Sequence, residues 1–155
     1  MGIRSLFFFV VALLAVSRNA SPCSCTTAVD LEKEILESFQ SSTVIFQGEA
    51  IDVAGKTKPS DLTDPSVNPS LQRERVKWRV QHAWKGGYAP GTIIETVTNT
   101  ACCVCGLSVT QGTVYVVHLD GPLPQSISSC SATKPALEAG RDIEILNRIA
   151  NGGGT

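Results

Sequence analysis

Runs of like charge are missing from this sequence, and so is any apolar stretch long enough to cross a membrane. Lysine and arginine total 13 against 14 aspartates and glutamates, a formal net charge of −1. With no basic stripe and no cluster of Lys or Arg, nucleic acid and anionic membrane surfaces are poor partners on electrostatic grounds. Histidine is scarce, His82 and His118 being the only two. The His-Glu-x-x-His zinc signature is absent, and so are the Gly-x-Ser-x-Gly elbow and a glycine-rich phosphate loop. No enzyme activity and no cofactor are expected. Charged residues make up 17% and hydrophobic ones 43%, a balance that describes a globular chain and not a disordered one. There is no internal repeat and no heptad.

What is present begins at the amino terminus. Met1-Gly2-Ile3-Arg4 is a positive leader, and Leu6 to Leu14 is an apolar run shorter than the roughly 18 to 20 residues of a membrane span. The pattern predicts a signal peptide over 1–17, with its end anywhere from 17 to 22, and a secreted, extracellular protein. Ala15-Val16-Ser17 supplies small residues where signal peptidase wants them and favours a mature Arg18. A start at Ser21 ranks behind it, and a start at Cys23, after Pro22, ranks behind both. Asn19-Ala20-Ser21 is then a glycosylation sequon weakened by Pro22, whereas Asn68-Pro69-Ser70 is excluded by its proline. What remains of 155 residues suits a single domain over 23–150, with 151–155 as a disordered tail.

The six cysteines fall in two clusters and a singlet: Cys23-Ser24-Cys25, Cys102-Cys103-Val104-Cys105 and Cys130. Behind a signal peptide, disulfides outrank a metal–thiolate site, although six cysteines allow fifteen pairings and spacing does not choose among them. Cys102 and Cys103 are a puzzle, because adjacent Cα atoms lie about 3.8 Å apart, below the usual disulfide range. One of them is free or bridges two chains. The start of the mature chain is expected to be stapled to its middle and end, which makes the N-terminus a candidate working part.

Hydrophobic periodicity gives the elements. A helix is expected from Thr26-Thr27 through Gln40, with Thr27 as its cap and Val29, Ile35, Leu36 and Phe39 at helical spacing. Glu32, Glu34 and Glu37 read as its solvated face. Strands are expected over Ser42–Val53, Glu74–Trp84, Thr92–Val97 and Val114–Leu119, with a short one at Ile127–Ser129. On the second, Val76, Trp78, Val80, His82 and Trp84 are assigned to one face. Trp78 and Trp84 could form a binding platform but are more simply core. Ala54 to Gln72 reads as a long loop, mobile or functional, and Lys134 to Ala150 as a helix broken at Gly140. About five short antiparallel strands with helices at both ends fit an all-β barrel with flanking helices better than a sandwich.

Taken in order, these landmarks resemble a known family. Cys23-Ser24-Cys25, a helix, and a strand ending in Phe46-Gln47-Gly48-Glu49-Ala50 are similar to the start of a netrin-like domain. They are most similar to the N-terminal inhibitory domain of the tissue inhibitors of metalloproteinases. Val80 to Lys85-Gly86, Cys105-Gly106, Gly112 with Tyr115-Val116-Val117, and Cys130-Ser131 follow in the family's order. The similarity spans essentially the whole mature chain, without the family's cysteine-rich C-terminal half.

The resemblance implies a five-stranded OB-fold barrel, disulfide-stapled through Cys23–Cys105 and Cys25–Cys130. It leaves Cys102 and Cys103 as departures, and Thr27 stands where the family often has proline. It also implies inhibition of secreted zinc metalloendopeptidases. The α-amine and carbonyl oxygen of Cys23 would chelate the zinc of the target protease, and Ser24 would enter its specificity pocket. Cys25 and Thr26 would extend the contact edge, with Thr100 and Ala101 from the 98–103 stretch beside it, and the 54–72 loop would reach over the protease. The inhibitor would act as a monomer, with a disulfide dimer through Cys102 or Cys103 left open. A mature start at Arg18 or Ser21 would deprive Cys23 of a free α-amine. The alternative is therefore an extracellular netrin-like module that binds another protein without inhibiting a protease.

Overall fold

A computed structural model describes residues 30–55, 73–99 and 105–152. They form a mixed six-stranded sheet, curled into a half-barrel, with two helices against one of its faces. In chain order the elements are α1 (Leu31–Ser41), β1 (Val44–Ala54), β2 (Arg73–Lys85), β3 (Ile93–Asn99), β4 (Val114–Leu119), β5 (Gln125–Ile127), β6 (Lys134–Pro135) and α2 (Gly140–Ala150). The strand order is β5-β3-β2-β1-β4-β6. Every pairing is antiparallel except β3 with β5, which is parallel through Thr96↔Gln125 and Thr98↔Ile127. The expectation of antiparallel pairing alone is corrected here: β4 runs opposite to β3, and the chain reverses again before β5, so β5 lies beside β3 in the same direction. Curling brings β4 and β5, from opposite halves of the sheet, into contact.

The concave face holds the main core: Val44, Phe46 and Ala50 from β1, Val76, Trp78 and Val80 from β2, Ile94, Val109, Tyr115, Val117, Leu119 and Ile127. Trp78 is its centre. Its ring meets Phe46 and Tyr115 edge-on at 6.3 and 5.4 Å, the arrangement that the ring quadrupoles favour. Its indole N–H donates to Thr96 Oγ1 over 2.8 Å, so no buried donor is left unpaired. A second cluster on the convex face joins Ile45, Trp84 and Val116 of the sheet to Ile35 of α1 and to Ala139, Ile145 and Leu146 around α2.

Trp84 therefore does not share a face with Trp78, contrary to the alternation expected along β2. The β1–β2 register slips between Gln47↔His82 and Gly48↔Val80, and again between Ile45↔Lys85 and Phe46↔Ala83. Each slip places an extra residue in β2, and an extra residue reverses which side chains face inward. Ala83 then packs on the concave core. His82 turns to solvent with its ring edge-on to Trp84 at 4.9 Å. Trp84 goes to the helices, where its Nε1–H donates to Asn147 Oδ1 of α2 over 2.7 Å.

The helix boundaries also move. Asp30 caps α1, its carboxylate accepting from the Glu32 and Lys33 amides at 2.9 and 3.4 Å; the expected cap, Thr27, lies outside the described residues. At the other end of α1, Lys85 Nζ donates to the carbonyls of Phe39 and Gln40 over 2.7 and 3.3 Å, a cation placed where the helix dipole is negative. The helix expected from Lys134 starts only at Gly140. Lys134–Pro135 instead forms a two-residue strand on β4, and Leu137 stands 98% exposed. Gly140 is the first residue of α2 and not an interruption of it.

The outward side chains of β2 align four cations, Arg73, Arg75, Lys77 and Arg79, a stripe hidden in sequence by Glu74, Val76 and Trp78 between them. Lys77 pairs with Asp52 at 3.7 Å and Arg79 with Glu49 at 3.4 Å across the strand boundary, which neutralises half of it.

Candidate functional site

Three segments converge where β3 ends. Thr98 is buried, and its hydroxyl both accepts from the Leu107 amide and donates to the Leu107 carbonyl, each over 2.9 Å. Gly106 pairs with Ser128 as an isolated antiparallel bridge. One step further, the Ser129 amide donates to the Cys105 carbonyl over 2.9 Å. Gly106 passes so close to β3 that a Cβ there would fall 1.6 Å from Asn99 O, a separation no side chain tolerates. The turn that follows is closed locally, with Ser131 Oγ–H donating to Ser128 O over 2.7 Å.

Cys105 and Cys130 are thus held on neighbouring segments, and both are disulfide-bonded. These are two of the four cysteines assigned to disulfides from sequence. The other two, Cys23 and Cys25, lie outside the described residues, as do Ser24, Thr26, Thr100, Ala101, Cys102 and Cys103. Residues 56–72 of the long loop lie outside them too.

Next to this junction a groove of about 340 Å³ opens between α1, the end of β4 and the 130–132 segment. It is lined by Glu34, Glu37, Ser38 and Ser41 of α1, by His118 and Asp120, and by Cys130, Ser131 and Ala132. His118 is 3% exposed. Its Nδ1 lies 2.8 Å from Ser38 Oγ, and its backbone amide donates to Thr133 Oγ1 over 3.0 Å. Its Nε2 is buried without a hydrogen-bond partner among the described residues. Burial pushes the imidazole pKa down to about 4, against the pull of Asp142 and Asp120, and Lys134 lowers it further. The ring is neutral at physiological pH. Asp120 accepts from Ser42 Oγ over 3.0 Å.

Nothing in the local sequence singles out His118, because its partner Ser38 stands 80 positions away. The sequence pattern assigns Glu32, Glu34 and Glu37 one shared role as a solvated face. Glu32 and Glu37 are exposed as expected; Glu32 also pairs with Arg148 of α2 at 3.2 Å, and Glu34 and Glu37 edge the groove.

Among the described residues, no three His, Cys, Asp or Glu side chains are grouped so as to hold a metal ion. No helix there is long and apolar enough to cross a membrane. No family model matches this sequence, and no curated protein matches it either.

Proposed function

We propose that this chain is a secreted netrin-like domain that inhibits zinc metalloendopeptidases, with Cys23 as the chelating residue. The observation that carries the proposal is the junction of the Cys105 and Cys130 segments. Two cysteines one residue apart, such as Cys23 and Cys25, reach at most about 7 Å from each other. A disulfide spans about 4 to 7 Å between Cα atoms. Partners for such a pair therefore belong on adjoining segments, and the Ser129–Cys105 hydrogen bond and the Gly106–Ser128 bridge make these segments adjoin. The curled sheet is compatible with the same fold: a β1–β2–β3 meander, β5 parallel to β3, and β4 beside β1 and touching β5 suit a partly open barrel of the OB kind.

In this mechanism the disulfides Cys23–Cys105 and Cys25–Cys130 fix the first residues as a rigid edge. The target's catalytic zinc, held by three protein ligands, keeps one position open. The α-amine and carbonyl oxygen of Cys23 would together replace the water bound there as a bidentate pair. Ser24 enters the specificity pocket, and Cys25, Thr26, Thr100 and Ala101 extend the contact. Because the edge is ordered before binding, less conformational entropy is lost on docking.

A second reading has a specific observation in its favour. Ala15-Val16-Ser17 suits signal peptidase better than the sequence before Cys23. A mature chain starting at Arg18 would bury the Cys23 nitrogen in a peptide bond, leaving a protein-binding module without inhibition. The deciding experiment is the intact mass and N-terminal peptide of the secreted protein, followed by a panel of zinc metalloendopeptidases. Cys23 at the start together with inhibition supports the proposal. Arg18 or Ser21 at the start with no inhibition selects the second reading.

A further inference from the structure

We propose that the groove between α1 and the 130–132 segment is a docking site for an arginine side chain on the surface of the protein that the disulfide-flanked edge engages. Three carboxylates, Glu34, Glu37 and Asp120, line it, with no lysine or arginine among the lining residues. Glu37 is only loosely offset by Lys33, at 3.8 Å with both side chains well exposed, a pair worth little in solvent. The imidazole in the wall adds no positive charge. It is almost wholly buried, yet its Nε2 has no partner among the described residues, and a buried polar atom left unpaired is costly.

The shape of the charge selects the ligand. A metal ion needs ligands converging on one point, and no such group is found among the described residues. A guanidinium presents a planar fan of N–H donors that serves acceptors set apart from one another. The three serine hydroxyls, of Ser38, Ser41 and Ser131, and the carboxylates are acceptors of that kind. The volume, about 340 Å³, lies at the small end of ligand-sized cavities. Cys130 belongs both to the groove wall and to the junction below β3, so a protein seated on the edge lies next to the groove. The proposal rests on the inhibitor reading only for the identity of that partner.

The site is tested on the mature protein alone, without a protease, by titrating N-acetyl-arginine amide at constant ionic strength and following backbone and imidazole NMR signals. Saturable shifts at Ser38, His118, Asp120 and Ser131 are expected, and lysine amide should bind several-fold more weakly. In the Glu34→Gln/Glu37→Gln double variant the affinity should fall about tenfold, the loss expected for one charge-assisted contact. The absence of saturable shifts, equal response to lysine amide, or an unchanged affinity in a folded double variant would each overturn the proposal. A failure of protease inhibition would leave the result of this titration untouched, so the two ideas fail separately.

Discussion

Ser38 Oγ lies 2.8 Å from His118 Nδ1, linking α1 to β4 across 80 positions of sequence. The histidine beyond that contact is buried and neutral, and this fixes how stability responds to acid. Its pKa is lowered from 6.5 to about 4 on folding, so between those values the unfolded chain binds the proton that the folded one refuses. Stability is complete above pH 6.5, declines as pH falls toward 4, and has no further contribution from this group below that. The groups facing the ring are Asp142, Asp120 and Lys134, with Glu34 and Glu37 across the groove. The loss should reach about 3 kcal/mol. Urea denaturation at stepped pH should show it in the native chain and not in His118→Gln. A parallel pH dependence in both proteins would remove His118 as the cause.

Asp142 presents a different case of a buried charge. It is 2% exposed on α2, and Lys134 Nζ stands 2.7 Å from its Oδ2, close enough for a strong ion pair although outside good hydrogen-bond alignment. Lys134→Met strands the carboxylate and should cost about 3 kcal/mol. Asp142→Asn leaves only the half-exposed ammonium and should cost about 1 kcal/mol. Combining the two should recover most of the difference. Additive losses in the double-mutant cycle would mean that the pair is not coupled.

At the centre of the concave core, Trp78→Phe removes ring area against Phe46 and Tyr115 and leaves the Thr96 hydroxyl unpaired. A loss of about 3 kcal/mol is expected, read as a lowered denaturation midpoint. Thr96→Val should cost about 2 kcal/mol, because it orphans the indole N–H instead. If Trp84→Phe proved equally costly through the same coupling to Thr96, the placement of the two tryptophans in separate clusters would be wrong.

Gly106 connects stability to the edge that the proposed inhibitor would present to its target. Any side chain there collides with the Asn99 carbonyl, so Gly106→Ala must push the Cys105 segment away from β3. A loss of about 3 kcal/mol should be accompanied by weaker inhibition of a target protease. Wild-type stability in the alanine variant would show that β3 and the Cys105 segment are not packed as closely as described.

The sequence makes some of this visible and hides the rest for physical reasons. Alternation placed Val76, Trp78 and Val80 correctly on one side of β2, because each buried residue alternates with a charged one. It failed at His82 and Trp84, because a bulge is set by the register of the partner strand and leaves no mark on local periodicity. The helix over 134–139 was misread because Leu137 falls at helical spacing from residues of α2, although it packs on nothing. Parallel β3–β5 pairing and the Ser38–His118 contact depend on how distant segments meet, which single-chain patterns do not carry. Disulfide bonding of Cys105 and Cys130 was legible from the cysteine content and the leader-like amino terminus. Their adjacency below β3 was not, since it depends on the Gly106 bridge to Ser128.

The most direct test of the inhibitor mechanism compares two proteins that differ by one residue: the chain beginning at Cys23, and the same chain with a single alanine ahead of it. The extension leaves every side chain and the proposed Cys23–Cys105 and Cys25–Cys130 pairing in place, but the α-amine of Cys23 becomes an amide. If Cys23 chelates the target's zinc, inhibition of a sensitive metalloendopeptidase should weaken by at least about a hundredfold, on the order of 3 kcal/mol. Equal inhibition by the two proteins would contradict zinc chelation by Cys23.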